Sequence, residues 1–204
     1  FLKRGARVAD LRRAAPVELG DFFDGPYAAD LLSSPASFMR AGVVLRRSGL
    51  AAGRAVTLEK SLSAEAERPR IEVVYRLGDA GSGPLDMLFA VELNLALIET
   101  KGRLEITEES GPGRTVALSD ETESAPATRV VVVEGHTGFE ISFFIEPAAA
   151  VWHYPVRTVS RTEKGFEANY QGSALLFVWG GSGRMPDEMR LVIEAGEGRP
   201  DAVP

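Results

Sequence analysis

Phe89-Ala90-Val91-Glu92-Leu93-Asn94-Leu95-Ala96-Leu97 decides the fold. Large apolar side chains occupy every second position, and Ala90, Glu92, Asn94 and Ala96 occupy the others. Period two is the mark of a strand with one buried face. The same alternation recurs at Ile71, Val73, Tyr75 and Leu77, at Phe139, Ile141, Phe143 and Ile145, and at Phe166, Ala168 and Tyr170. Further strands are expected at 39–46, 55–63, 103–107, 115–118, 129–134, 174–179 and 189–194. Val130, Val131, Val132 and Val133 are apolar on both faces, so their strand is expected to be central.

Clusters of Gly, Pro, Ser and Asp separate these runs at 78–84, 111–113, 119–126 and 180–186. Glycine supplies positive φ and proline fixes a bend, so the clusters read as turns. Many strands with such punctuation predict an all-β fold, a β-sandwich. One helical turn is expected at 28–33, between Pro26 and Pro35. The chain reads as a single domain over 1–204, with 196–204 as a Gly- and Pro-rich tail.

The bulk properties narrow the function. Lys and Arg total 23 against 29 Asp and Glu, a net charge of −6. That balance argues against a nucleic-acid partner, which requires concentrated positive charge. No apolar run reaches the roughly 20 residues of a membrane helix. The absence of cysteine leaves no disulfide, thiolate nucleophile or Cys-based metal site, and leans towards a reducing, cytoplasmic setting. The chain starts at Phe1 without a methionine, which reads as a segment of a larger parent.

A search for chemistry returns little. His136 and His153 are expected to be a turn residue and a structural residue, and two histidines do not make a metal site. No metal or cofactor is expected. Gly-x-Ser-x-Gly is absent. The glycines at 180–183 and 81–83 lack the Gly-Lys-Ser/Thr ending of a phosphate loop. Composition leaves a glycosidase carboxylate pair open; such a pair needs carboxyls about 5–10 Å apart. The positions opposite the apolar stripes carry Glu92 and Asn94, Glu140 and Ser142, then Glu167, Asn169 and Gln171. If the strands share a sheet, one face offers carboxylate, amide and hydroxyl groups suited to sugar hydroxyls, or simply to water. Segment 14–35 holds Asp21-Phe22-Phe23-Asp24-Gly25-Pro26-Tyr27, whose aromatics either plug one end of the sandwich or dock on a neighbouring domain.

Segment 152–179 runs Trp152-His153-Tyr154-Pro155-Val156-Arg157-Thr158-Val159-Ser160, then Glu163-Lys164-Gly165-Phe166-Glu167, Tyr170-Gln171-Gly172 and a closing Trp179. It resembles the C-terminal domain of family 57 glycoside hydrolases, the α-amylases and 4-α-glucanotransferases. Asp21 to Tyr27, Leu58-Glu59-Lys60 and Phe89 to Asn94 fit the same family more weakly. The resemblance implies a large twisted antiparallel sandwich similar to galactose-mutarotase domains. It also implies a catalytic (β/α) barrel elsewhere in the parent, which holds the glutamate nucleophile and aspartate acid/base. No part of this chain matches that barrel, so no catalytic residue is carried over.

The expected role is therefore a non-catalytic domain that packs on the catalytic barrel of its parent chain and helps shape the glucan cleft. Candidate contacts to an α-glucan oligosaccharide or to the domain junction are Glu92, Asn94, Trp152, Tyr154, Glu163, Glu167, Gln171 and Trp179. For Trp152, Tyr154 and Trp179 stacking on a sugar competes with a place in the core, which burial preferences favour. Gly165 and Gly172 read as backbone requirements. The alternatives are a free-standing carbohydrate-binding module and, from the implied fold alone, a mutarotase-type epimerase. Homo-oligomerisation is left open.

Overall fold

The computed structural model describes residues 1–15, 17–32, 40–79, 86–97, 101–163, 165–181 and 185–197. In chain order the elements are β1 (Leu2–Lys3), α1 (Val8–Arg12), β2 (Ala28–Leu32), β3 (Arg40–Ala51), β4 (Arg54–Glu65), β5 (Arg70–Asp79), β6 (Met87–Leu95), β7 (Gly102–Glu108), β8 (Arg114–Ala117), β9 (Thr122–Glu134), β10 (Phe139–Thr162), β11 (Gly165–Trp179) and β12 (Glu188–Glu197). The main path of hydrogen-bonded neighbours is β1-β6-β11-β10-β12-β5-β4-β3-β2, and β9 joins β10 to β7 and thence to β8.

The long strand β10 converts this path into two layers. Residues 139–146 pair with β12, and residues 150–162 pair with β11. The register slips between Phe144 and Ala149 on the β9 side, and there the chain passes from one layer to the other. The apolar parity of every strand then points into one core. Leu58, Val73, Tyr75 and Leu191 meet Phe89, Val91, Leu175, Phe177 and Trp179 there. A ring contact of 5.6 Å joins Tyr75 to Phe89, on strands that do not hydrogen-bond to each other. The architecture is the expected antiparallel sandwich. Val130 to Val133 are all buried, and β9 lies between β7 and β10 as a central strand.

The outer face of β6, β10 and β11 is also covered. Leu88, Trp152, Ala174, Leu176 and Val178 form a second apolar cluster with Leu2, Ala6 and Val8. The N-terminal segment lies over that face, and Glu123 anchors it by accepting from the Arg7 guanidinium at 2.6 Å and the Val8 amide at 2.8 Å. Eight successive buried residues, Gly172 to Trp179, follow from this double cover.

The helical turn expected at 28–33 is corrected: Ala28–Leu32 is an edge strand paired with residues 42–46 of β3, and Ser33 lies outside the described residues. Both faces of this strand are exposed, so alternation does not mark it, and the bonds offered by β3 override local propensity. Turn cluster 119–126 is shorter than expected, because β9 already starts at Thr122. Of the expected tail, Gly196 and Glu197 belong to β12, and residues 198–204 lie outside the described residues, as do Met39, 80–85 and 182–184.

Candidate functional site

The segment Asp21 to Tyr27 folds back on itself. Phe22 is buried against the ring of Phe1 at 5.0 Å, and the Tyr27 hydroxyl donates to the Phe22 carbonyl at 2.7 Å. Arg47 of β3 braces the segment. Its guanidinium donates to the Pro26 carbonyl at 2.9 Å and stands 5.7 Å and 5.9 Å from the ring centres of Phe22 and Tyr27. One aromatic is left out of this packing: Phe23 is 76% exposed.

A cleft of about 450 Å³ opens between this segment and the sheet, within the roughly 300–1,000 Å³ typical of small-molecule sites. Phe23, Tyr27, Lys60, Tyr75 and Val91 line it, with the carboxylates Glu18 and Glu92. Asp21 to Tyr27, Leu58 to Lys60 and Phe89 to Glu92 are distant in sequence, and they converge here.

Lys60 is the unusual member. It shares parity with buried Leu58, so its side chain leaves β4 on the core side, opposite Leu45 and Tyr75 in register. Its ammonium stands 5.6 Å from the centre of the Tyr75 ring. Among the described residues no carboxylate pairs with it. Burial holds its pKa below the usual lysine value and pushes the Tyr75 phenol and the Glu18 carboxyl up. The ammonium carries three donors and a half-buried charge, a combination that gains from an acceptor brought by a ligand.

The sequence-derived candidates scatter. Trp152 is 6% exposed beneath the N-terminal segment. Trp179 is 2% exposed, 6.0 Å from the Phe89 ring, and its indole N–H donates to the Pro147 carbonyl at 2.9 Å. Neither presents a free ring face to a sugar. Tyr154 is half-buried beside the second cluster, and burial pushes its pKa up. Glu92 is exposed at the rim of the cleft and accepts from the Asn94 amide at 3.1 Å. Glu140 and Ser142 share the outer face but sit about a dozen residues along β10 from Trp152, roughly 40 Å of strand. The polar groups thus share a side of the sheet and form no common patch.

Glu163, Glu167 and Gln171 lie on a projecting hairpin. Among the described residues, 157–162 of β10 and 165–170 of β11 pair only with each other. Its polar face is laced by Asn169 donating to Ser160 Oγ at 3.0 Å and Gln171 to Thr158 Oγ1 at 3.1 Å. Glu167 stands opposite Ser160 on that face, and Glu163 is exposed at the tip. The other face carries Val159, 68% exposed, and Phe166, 79% exposed. A bulge at Val156/Arg157 sets the hairpin off from the sheet. Gly172 sits there at φ 151°, and a Cβ on it would stand 2.3 Å from the Leu95 carbonyl oxygen. That position demands glycine.

The histidines occupy the places expected. His136 is exposed in the turn between β9 and β10. His153 is fully buried; its Nδ1 donates to the Asp120 carbonyl at 2.9 Å, which leaves Nε2 to accept from the Ser173 hydroxyl at 2.9 Å. Burial holds its pKa below the usual histidine value. Among the described residues no cluster of His, Asp and Glu could hold a metal, and no helix is long and apolar enough to cross a membrane, which says nothing of membrane β-barrels.

Residues 1–191 match the sequence model of one family, described as Alpha-amylase/4-alpha-glucanotransferase, C-terminal. The chain belongs to this family. A 4-alpha-glucanotransferase of Thermococcus kodakarensis is 25% identical over 191 residues, covering 94% of this chain and 24% of that protein. The crystal structure of the 4-alpha-glucanotransferase from Thermococcus litoralis aligns with 96% of this chain and 26% of its own, at TM-score 0.67 and 22% identity. A putative aldose 1-epimerase of Escherichia coli K12 shares the fold at TM-score 0.56 and 11% identity, over 85% of this chain and 69% of its own. The chain spans about a quarter of the length of the glucanotransferases it matches.

In this alpha-amylase/4-alpha-glucanotransferase C-terminal domain, sequence reasoning missed two functional candidates, Phe23 and Lys60. Phe23 carried a signal within an aromatic-rich loop; only the fold shows which of its three aromatics is left free. Lys60 carried one too, as a charge on the apolar parity of β4. Further cavities hold paired charges. One of about 380 Å³ contains the Arg40–Glu72 ion pair at 3.4 Å. Another, about 620 Å³, lies along a charge ladder in which Arg46 and Arg76 flank Glu59 at 2.8 Å and 3.1 Å, and Arg76 also meets Glu188 at 2.7 Å.

Proposed function

We propose that this chain is the non-catalytic C-terminal sandwich of an α-glucan hydrolase or 4-α-glucanotransferase, packing on the catalytic barrel of its parent and helping to shape the outer glucan cleft. The family match over residues 1–191, from a chain that spans a quarter of its relatives, carries this reading. The 157–171 hairpin is the docking element. An isolated two-stranded ribbon is marginal in water, and this one exposes Val159 and Phe166 on one face. Its proposed occupant is the catalytic part of the same parent, and the relatives do extend over about three-quarters of their length beyond the matched domain. The cysteine-free composition suits a cytoplasmic setting.

The gene ahead of Phe1 supplies the first test: it is expected to encode a catalytic barrel, and a start codon close to Phe1 argues instead for a free-standing carbohydrate-binding module. The catalytic part, produced separately, is then mixed with this chain in analytical ultracentrifugation. Association is expected, and the double substitution Val159→Ser, Phe166→Ser weakens it. Separate sedimentation of the two parts contradicts the packing role.

A further inference from the structure

Building on the α-glucan reading, we infer that the cleft between the Asp21 to Tyr27 segment and the sheet is a binding subsite for a neutral pyranose, one glucose unit of an α-glucan chain. The argument starts from Phe23. A ring left 76% exposed would ordinarily be mobile, but its neighbours Phe22, Pro26 and Tyr27 are pinned by the core and by Arg47. The result is an exposed apolar ring on a braced loop at the mouth of a cavity, suited to the C–H face of a sugar.

The charges in the lining choose among ligands. The Lys60 ammonium offers donors from one wall, while Glu92 and Glu18, the latter 3.9 Å from the Phe1 ammonium, offer acceptors from the rim. An anionic ligand such as a phosphate or uronate meets two carboxylates; a cationic one meets Lys60. A neutral polyol satisfies all three, because each hydroxyl both donates and accepts. Lys60 gains most, as an ammonium on the core-facing parity of β4 that stands over the Tyr75 ring with no carboxylate partner among the described residues. This moves the sugar contact from Trp152 and Trp179, which are sealed in the core, to Phe23 and Lys60.

The test is a ¹⁵N–¹H correlation spectrum of the chain titrated with maltoheptaose to millimolar concentration, with glucuronic acid and glucosamine as charged pyranose comparators. Maltoheptaose is expected to shift the signals of Phe23, Tyr27, Lys60 and Glu92, and the charged sugars to shift them less. Lys60→Met is expected to weaken binding roughly tenfold, and Phe23→Ala several-fold, with thermal unfolding of both variants at or above the parent value. Unmoved cleft signals, shifts on the 157–171 hairpin instead, or parent-like binding by both variants each overturn the proposal. If the cleft stays silent while the chain still associates with the catalytic part, the subsite fails alone. If the cleft prefers a charged sugar and association is absent, the α-glucan reading fails with it.

Discussion

Replacing Trp179 by alanine is expected to cost about 5 kcal/mol, and replacing Trp152 about 3. Each indole is almost wholly removed from water, at 2% and 6% exposure. Burying a large aromatic removes roughly 150–250 Å², worth about 4–6 kcal/mol at about 25 cal/mol per Å². Measured core truncations run about 3–5 kcal/mol. The order follows from what surrounds each hole. Trp179 lies between two sheet layers that cannot close on a void, and its loss orphans the Pro147 carbonyl, adding roughly 1 kcal/mol. Trp152 lies beneath Leu2, Ala6 and Val8, an irregular segment that can settle into the gap. Urea unfolding followed by circular dichroism reads both. With a slope of about 2.5 kcal/mol per molar, the midpoints fall by about 2 M and 1 M. Trp179→Phe, which keeps most of the packing, is expected to fall between wild type and the alanine variant. Phe23→Ala and Phe166→Ala, at exposed rings, are the controls and stay within about 0.5 kcal/mol. A Trp179→Ala loss below 1 kcal/mol, or one equal to the Phe166→Ala control, refutes the assignment of the tryptophans to the core and returns them as sugar platforms.

Gly172→Ala is expected to cost about 1–3 kcal/mol, since φ 151° and the Leu95 carbonyl oppose a Cβ together; an unchanged urea midpoint contradicts the bulge geometry. His153 is held neutral by burial, so its folded pKa lies below the unfolded value of about 6.5. Its contribution is complete above that pH and declines as pH falls from there through the folded pKa. Subtracting the profile of a His153→Gln variant isolates this loss, and identical slopes between pH 5 and 7 count against it. Lys60→Met is expected to raise stability by about 0.5–1 kcal/mol, because it removes a half-buried charge kept for binding; a destabilised variant in thermal melts argues that the ammonium is already satisfied.

The layers of the fold were legible because burial on one side of a sheet leaves period two in β5, β6 and β10. The N-terminal cover was not, since Leu2, Ala6 and Val8 form no periodic run, and the apolar outer face of β11 makes sense only once they lie over it. The full length of β10 was hidden because no single alternation runs through it: Pro147 sits where the strand changes partners, and Pro155 lies within the ladder opposite Ser173. Edge strand β2, exposed on both faces, shows no alternation at all. The cleft is a tertiary object. Its walls come from segments around residues 18–27, 58–60, 75 and 89–92, and no spacing in the chain announces that they meet.

On the proposed function, this domain supports an α-glucan enzyme without performing its chemistry. Incubation of the purified chain with maltoheptaose, with products separated by chromatography, tests it most directly. Maltoheptaose is expected to stay unchanged, neither shortened by hydrolysis nor redistributed by transfer. Shorter or longer maltooligosaccharides accumulating with time and with chain concentration contradict it.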